Sequence, residues 1–424
     1  MNQQTLTPVS KPKLVVIGNG IAGARCIDEL LKLCPDKYDI TIIGEEPQVN
    51  YNRIMLSPVL AGEKQLQDIV INDLDWYRQH RINLVTGDPV IAIHRGRKTV
   101  VTAGDRSFAY DKLIIATGSR PNIIPFPGHD LKHVMGFRTM ADVNHMLSIS
   151  RSHQRAVVIG GGLLGLEAAN GLRQQGMAVT VIHNSDFLLN RQLDPRAAEL
   201  LQQALERKQV TFRLAARTES LEGNSEHRVT HVRLTDGTRI PADLVVFATG
   251  VKPNKELAER AGIYCENGIV VNDTLQTFDP SVYAVGECVQ HRGELFGLVA
   301  PLFQQARVCA NQLAEWGCQR YQTTPMATQL KVTGIDVYSA GDFMGDETTD
   351  LLTYYDRDQA IYKKLVIKNQ QLKGVVLYGD ISDGAFYFDL VQNGTNIEAI
   401  RDLLIFGRQL CLRDTDPEPA FEAA

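Results

Sequence analysis

The seven cysteines of this sequence include no CxxC pair and sit in no cysteine–histidine cluster. An odd number in that scatter excludes a disulfide framework and a metal site, and leaves reduced thiols that act mostly as small buried apolar groups. Long apolar runs are missing too: none reaches the ~18–20 residues of a membrane span, and the first residues, MNQQTLTPVSKPK, have no signal-peptide core. Both absences point to the cytoplasm and away from a membrane partner. Positive charge is not in excess. The formal net charge is −5 and the pI about 6.1, which argues against a broad nucleic-acid surface.

What is present is length and repetition. A chain of 424 residues, 44% hydrophobic, exceeds the ~250–300 residues one core serves and should divide into two or three domains. Residues 15–23 read VVIGNGIAG and residues 157–165 read VVIGGGLLG. A second echo follows in the same order: LIIATGSRPN at 113–122 and VVFATGVKPN at 245–254. Two similar α/β units therefore lie along one chain.

Each unit opens with an apolar run suited to a parallel strand buried on both faces. A GxGxxG turn follows, then a helical stretch (ARCIDELLKL or LEAANGLRQQG, the second with Gly176 as its stop), then a new strand, DITIIG or AVTVIH. That order is the dinucleotide-binding unit. Gly18 and Gly160 allow the tight turn, Gly20 and Gly162 let the backbone approach a diphosphate, and Gly23 and Gly165 let helix and strand pack closely. The helix N-terminus offers free N–H groups and a partial positive charge to the phosphates.

A ribose-binding acid is expected ~20 residues beyond the glycines. The first unit has Glu45, directly after the strand and Gly44, with Glu46 as the alternative. The second unit has His183, followed by Asn184, Ser185 and Asp186, with Arg191 close in sequence. With neither a carboxylate nor an arginine pair there, the expectation is NADH with only a weak preference over NADPH. Late in the chain, SVYAVGEC ends a strand at Gly286-Glu287. The helix-like LVAPLFQQARVCANQLA after it would aim its N-terminus at whatever the carboxylate holds.

The series GNGIAG, YDKLIIATG, GGGLLG, VFATG, YAVGEC resembles the two-dinucleotide-fold flavoprotein reductases. More narrowly, NYNRIMLSPVLAGE and GGGLLGLEAANGL are similar to the flavoprotein part of assimilatory nitrite reductase large subunits and of nitrate reductase electron-transfer subunits, with rubredoxin and ferredoxin reductases as more distant relatives. The resemblance covers about residues 14 to 410. It implies two Rossmann-like α/β domains, the NAD(P)H domain inserted in the FAD domain, and a small α+β domain at the end. The expected boundaries are 14–138 and 256–326 for FAD, 139–255 for NAD(P)H and 327–413 for the third domain, with an acidic tail at 414–424.

The same resemblance implies site residues. Gly18, Gly20, Gly23 and Glu45 (or Glu46) go to the ADP half of FAD. Arg53 and Ser57 go to the flavin side, with Thr117 and Gly118 nearby and Glu287 on the ribityl chain; Arg53 could meet the FAD diphosphate. Val90, Ala116, Arg120 and Gly286 complete that set. Gly160, Gly162, Leu163, Leu164, Gly165, Glu167, His183, Arg191, Ala248, Thr249 and Gly250 go to the nicotinamide nucleotide, with Glu167 either orienting the nicotinamide or merely packing. No metal is implied. Related reductases often carry a lysine after the LS of NYNRIMLS; here Pro58 stands there.

Disulfide reductases of this superfamily carry a CxxxxC, a single redox cysteine or a CxxC, and this chain has none. Electrons are therefore expected to pass from NAD(P)H to the flavin as hydride and onward without a thiol relay. With no four-cysteine cluster site, the expectation is a separate acceptor: a nitrate reductase subunit or, as an alternative, a rubredoxin or ferredoxin. A flavin-bearing sensor without turnover is a third reading. In residues 327–412, IYKKLVIKNQQLKGVVLYGD reads as two strands around Asn369-Gln370-Gln371. NIEAIRDLLIFGRQL reads as an amphipathic helix capped by Asn396. The resemblance gives this domain a role in homodimerisation or partner docking, and plain core packing is an equal reading.

Overall fold

The computed structural model describes residues 11–323, 327–332 and 334–413; the expected tail at 414–424 lies outside the described residues. Two five-stranded parallel sheets dominate. The first has the spatial order Val282–Ala284, Lys112–Ile115, Lys13–Ile17, Asp39–Ile43, Asn83–Val85. The second has the order Val210–Arg213, Ala178–Ile182, Arg155–Ile159, Leu244–Phe247, Val134–Gly136. Leu14, Val15 and Val16, like Ala156, Val157 and Val158, are all buried. Consecutive burial requires cover on both faces, which is why these runs do not alternate.

In each unit a three-stranded antiparallel layer sits between the third and fourth strands in sequence: 90–94, 99–102 and 107–109 in the first, 218–223, 229–234 and 239–241 in the second. The fifth strand differs in origin. The first sheet takes it from residues after the second unit. The second sheet takes it from residues before its own first strand, so Val134–Gly136 belongs with the second sheet although the expected boundary at 138 left it with the first.

Between the units the chain crosses itself. Ser119–Pro121 pairs antiparallel with Val251–Pro253. The two ATG echoes close on one another: Thr117 Oγ1 donates to the carbonyl of Asn254 (2.7 Å) and Asn254 Nδ2 to the carbonyl of Thr117 (2.9 Å). Thr249 and Asn122 repeat the same exchange. The repeated signature is thus a local pseudo-twofold joint.

The third domain is an antiparallel sheet ordered Thr328–Val332, Ile335–Gly341, Gln371–Tyr378, Ile361–Lys368, Asp350–Asp356. Its hairpin turns on Asn369 (φ 53°) and Gln370 (φ 55°), the paired left-handed residues that match strand twist, and Gln371 is already in the strand. Tyr362, Val376 and Tyr378 share a core with the second unit, while Leu365, Val375 and Leu377 face Tyr387, Leu390 and Leu404. The helix expected over NIEAIRDLLIFGRQL is instead two 3₁₀ turns, Glu398–Ile400 and Leu404–Phe406, followed by the helix Arg408–Arg413. Gly407, at φ 96°, breaks the run; the cap position of the first turn falls on Ile397, and Asn396 Oδ1 only accepts from the Glu398 N–H (2.8 Å).

Candidate functional site

Both glycine turns open into one cleft of about 1560 Å³. Each does so in the same way. Gly18 (φ 113°) and Gly160 (φ 125°) occupy backbone conformations closed to side chains, and a Cβ would strike the carbonyl of Ala116 or Ala248. Those two alanines begin the ATG echoes, so the echo is the wall against which the turn is pressed. Gly23 and Gly165 lie off the cleft, where a Cβ would strike the carbonyl of Gly18 or Gly160; they seat helices Ile21–Leu33 and Leu163–Gln174 on their strands. Gly20 and Gly162 cap those helices in extended conformation with no side-chain cap, and a Cβ on either would meet nothing within 4 Å. The result is two open cradles lined by free helix N–H groups, each shaped for a diphosphate.

On the first unit's side, Glu45 stands exposed on the cleft with no side-chain partner among the described residues. Glu46 is engaged: it accepts from Tyr51 Oη (2.7 Å) and pairs with Arg53. This leaves Glu45 as the acid with free acceptors. It also means that Arg53, which lines the cleft, has its charge met by Glu46, while its Nη1 donates to the carbonyl of Arg138 (3.1 Å). Glu287 accepts on Oε2 from Ser119 Oγ (2.8 Å) and pairs there with Arg138, leaving Oε1 without a protein partner among the described residues. The Gly286 N–H donates to Gln305 Oε1 (2.8 Å) on helix Val299–Leu313, whose first turn reaches the cleft through Val299 and Leu302.

Arg138 carries no motif. It follows the strand Val134–Gly136 of the second sheet and meets Glu287 of the first unit only once the chain has crossed over. Asn19 was also missed. It accepts from Tyr77 Oη (2.8 Å) and leaves its Nδ2 buried without a partner, as are Arg138 Nε and His183 Nε2. All three residues line the cleft.

The two units touch across NYNRIMLSPVLAG. Asn52 caps a 3₁₀ turn at Arg53–Met55, which runs into the short helix Leu56–Leu60. That helix lies against Gly171, where a Cβ would meet Leu60 Cγ at 2.8 Å. Ser57 Oγ there donates to Glu167 Oε2 (2.6 Å) of the second unit. Burial pushes the Glu167 carboxyl above its ordinary range, and the Ser57 bond pulls it partly back.

On the second unit's side, Leu163, Leu164, Ala248, Thr249 and Gly250 line the cleft, as do Val90, Ala116, Thr117, Gly118 and Arg120 opposite; Arg120 is held by Glu256 (2.5 Å). His183 folds back: its Nδ1 accepts from the Gly161 N–H (3.2 Å), so the hydrogen sits on Nε2, and burial lowers its pKa. It is a neutral ring braced on the glycine turn. No cysteine lines the cleft among the described residues, and burial pushes up the thiol of Cys288, beside Glu287, which keeps it protonated. No group of three or more potential metal ligands occurs among the described residues, and no described helix is long and apolar enough to cross a membrane.

A model of the pyridine nucleotide-disulphide oxidoreductase family matches residues 12–312, and one of the rubredoxin NAD+ reductase C-terminal domain matches residues 325–395. The chain is 48% identical over 389 residues to a nitrite reductase [NAD(P)H] of Bacillus subtilis, covering 92% of this chain and 48% of that one. It is 45% identical over 415 residues to the assimilatory nitrate reductase electron transfer subunit of the same organism, covering 98% and 53%. It thus spans about half the length of these curated relatives. In a crystal structure of a covalent putidaredoxin reductase–putidaredoxin complex, a chain matches with TM-score 0.82 at 26% identity, covering 94% of this chain and 96% of that one.

Proposed function

This chain belongs to the pyridine nucleotide-disulphide oxidoreductase family, and from that premise we propose that it carries electrons from NAD(P)H by way of FAD to a separate protein acceptor, an assimilatory nitrate reductase catalytic subunit. The observation that carries this reading is the pair of open cradles at Gly20 and Gly162 on one cleft that no cysteine reaches among the described residues. The residues fit the two nucleotides. Three buried donors, on Asn19, Arg138 and His183, lack protein partners at the cleft, and unpaired buried donors are rare unless a ligand or water meets them.

Bound FAD supplies hydride acceptance from NAD(P)H and release of electrons singly or in pairs. The chain's own residues do the rest. Glu45 offers carboxylate acceptors to a ribose. Glu287, fixed through Oε2 by Ser119 and Arg138, offers Oε1 to the hydroxyls of a ribityl chain. The N-terminus of Val299–Leu313, which reaches the cleft through Val299 and Leu302, would favour negative charge on a bound flavin. Glu167, held by Ser57, spans the seam between the two units on the cleft, where it would help orient a bound nicotinamide. The matched rubredoxin reductase C-terminal domain favours a small iron–sulfur acceptor as the second reading. Reduced thiols and a cytoplasmic NAD(P)H supply suit a cytoplasmic site of action.

The purified protein should be yellow and release FAD on denaturation. A variant with every cysteine replaced by serine should keep its NAD(P)H-to-dye turnover within about twofold. Loss of turnover in a folded, FAD-loaded cysteine-free variant, or release of FMN instead of FAD, would overturn the reading.

A further inference from the structure

The end of strand Ala178–Ile182, where the ribose of the second nucleotide would lie, is flanked by two arginines from different segments. The chain after the strand folds back onto the glycine turn: the Leu189 N–H donates to the carbonyl of Gly161 (3.1 Å), with Leu188, Leu189 and Leu193 buried beneath it. Arg191 stands on that loop, exposed and on the cleft. From the other side, residues 213–217 run alongside 183–185. The His183 N–H donates to the carbonyl of Arg213 (2.9 Å), the Ala216 N–H to the carbonyl of His183 (2.9 Å) and the Ala215 N–H to the carbonyl of Ser185 (2.9 Å). This pairing puts Arg217 on the cleft as well.

Their neighbours separate them from the other cleft arginines. Arg53, Arg120 and Arg138 are ion-paired to Glu46, Glu256 and Glu287. Arg260, which is not paired, lies on the helix Glu256–Arg260 of the first unit's chain. Arg191 and Arg217 have no ion pair and no side-chain hydrogen bond among the described residues, and every acid on the cleft other than Glu167 belongs to the first unit or to its return segment. Around the strand end the lining is His183, Asn184, Asn190, Gln192, Thr218 and Thr235, neutral and polar. Asp186, on the same segment, does not line the cleft; two unneutralised guanidinium groups on a stretch of cleft lined by no carboxylate form a phosphate site, and a second phosphate beside the ribose is the 2′-phosphate of NADPH.

We propose that Arg191 and Arg217 form a 2′-phosphate site that makes NADPH the preferred donor, contrary to the weak NADH preference that the sequence suggests. The inference rests on the second unit being the nicotinamide-nucleotide site. The arginine pair escapes sequence reading because its members stand 26 residues apart (217 − 191), and two separate backbone contacts, Leu189 to Gly161 and 213–216 to 183–185, bring them to one strand end.

The test has two arms on the FAD-loaded full chain. In the first, 2′,5′-ADP and 5′-ADP are titrated by calorimetry; 2′,5′-ADP should bind at least about tenfold tighter, and less so as salt rises. In the second, kcat/KM is measured for NADPH and NADH with a dye acceptor. The NADPH-to-NADH ratio should exceed one in the wild type, fall about tenfold in Arg191→Ala or Arg217→Ala, and fall about a hundredfold in the double variant. Both side chains are exposed, so the variants should keep their flavin content. Equal binding of the two ADP probes, or a ratio unmoved by the double variant, overturns the phosphate site while leaving the proposed function intact. Failure of both nucleotides to reduce the flavin overturns the proposed function instead.

Discussion

The two dinucleotide units solve the same problem with the same turn and then part at the end of the second strand. In both, the first glycine is pinned by the alanine of an ATG sequence, the second is an open helix cap and the third seats the helix. Beyond the turn, the first unit presents an unpartnered carboxylate, Glu45. The second has Asn184 at the matching position, turns His183, the residue directly after its strand, back onto Gly161, and leaves two free arginines facing the cleft. The glycines fix where a diphosphate can lie, because that depends on backbone clearance. The strand end fixes which nucleotide is bound, because that depends on charge. The same division appears one helical turn on: Arg25 of the first helix pairs with Glu29 of its own unit, whereas Glu167, its counterpart at the same offset, reaches across to Ser57.

Matched substitutions in the two turns should break the molecule most severely and show which unit serves which nucleotide. Gly18→Ala and Gly160→Ala place a Cβ in a left-handed conformation against a backbone carbonyl, and each should cost about 3 kcal/mol or more in chemical denaturation. At Gly20 and Gly162 a Cβ would meet nothing within 4 Å, so Gly20→Val and Gly162→Val should leave folding intact while filling a cradle. Gly20→Val should be folded and colourless. Gly162→Val should be yellow, with NAD(P)H-dependent flavin reduction slowed on the order of a hundredfold or more. The reverse pattern would exchange the two assignments.

Asp194 sharpens a second contrast, because it ties the second unit's strand-end loop to the third domain through a buried hydrogen bond. Asp194 caps helix Pro195–Arg207, with Oδ1 accepting from the Ala197 N–H (3.1 Å). Its Oδ2 accepts from Tyr362 Oη (2.8 Å) and lies 3.7 Å from the buried Lys364 ammonium. Asp194→Ala removes the cap and leaves a buried cation poorly matched, for a loss of about 3 kcal/mol. Tyr362→Phe removes only the interdomain bond, for about 1 kcal/mol. Equal losses in the two variants would mean that the helix cap and Lys364 contribute little.

Much of this is legible in the sequence. Two signatures repeated in the same order, the first of them a GxGxxG after an apolar run, dictate two nucleotide folds, because close packing and φ > 0 admit few other residues. The expected helix after Asn396, ending at 410, failed because its apolar residues recur at helical spacing for another reason: separate turns drop Ile397 and Leu404 into the same core, with Gly407 breaking the run. Arg138, Asn19 and Arg217 were illegible because each acts only after segments far apart in sequence are joined. Glu46 and Glu45 are adjacent and chemically identical; only the partnership of Glu46 with Tyr51 and Arg53 tells them apart.

The smallest expected effect lies at the seam between the units. The first-unit counterpart of Glu167, Arg25, is a part-buried charge paired with Glu29; Glu167 is a part-buried carboxyl with one hydroxyl for company. Burial raises its folded pKa above the ordinary 4.5. Below that ordinary value the carboxyl is protonated in both folded and unfolded chains, and its full contribution to stability is present. As pH rises above it, the unfolded chain releases a proton that the fold retains. Stability contributed by this group is therefore lost progressively until pH passes the folded pKa, and the deficit is constant beyond. Glu167→Gln keeps an acceptor for Ser57 and cannot ionise. Its melting temperature should match the wild type near pH 4 and exceed it increasingly toward neutrality. Ser57→Ala removes the bond that holds the pKa down, so it should cost about 1 kcal/mol and extend the window of loss to higher pH. A wild type whose stability relative to Glu167→Gln rises with pH would show instead that Glu167 is held as a carboxylate, by charge from the bound nucleotides rather than by the fold.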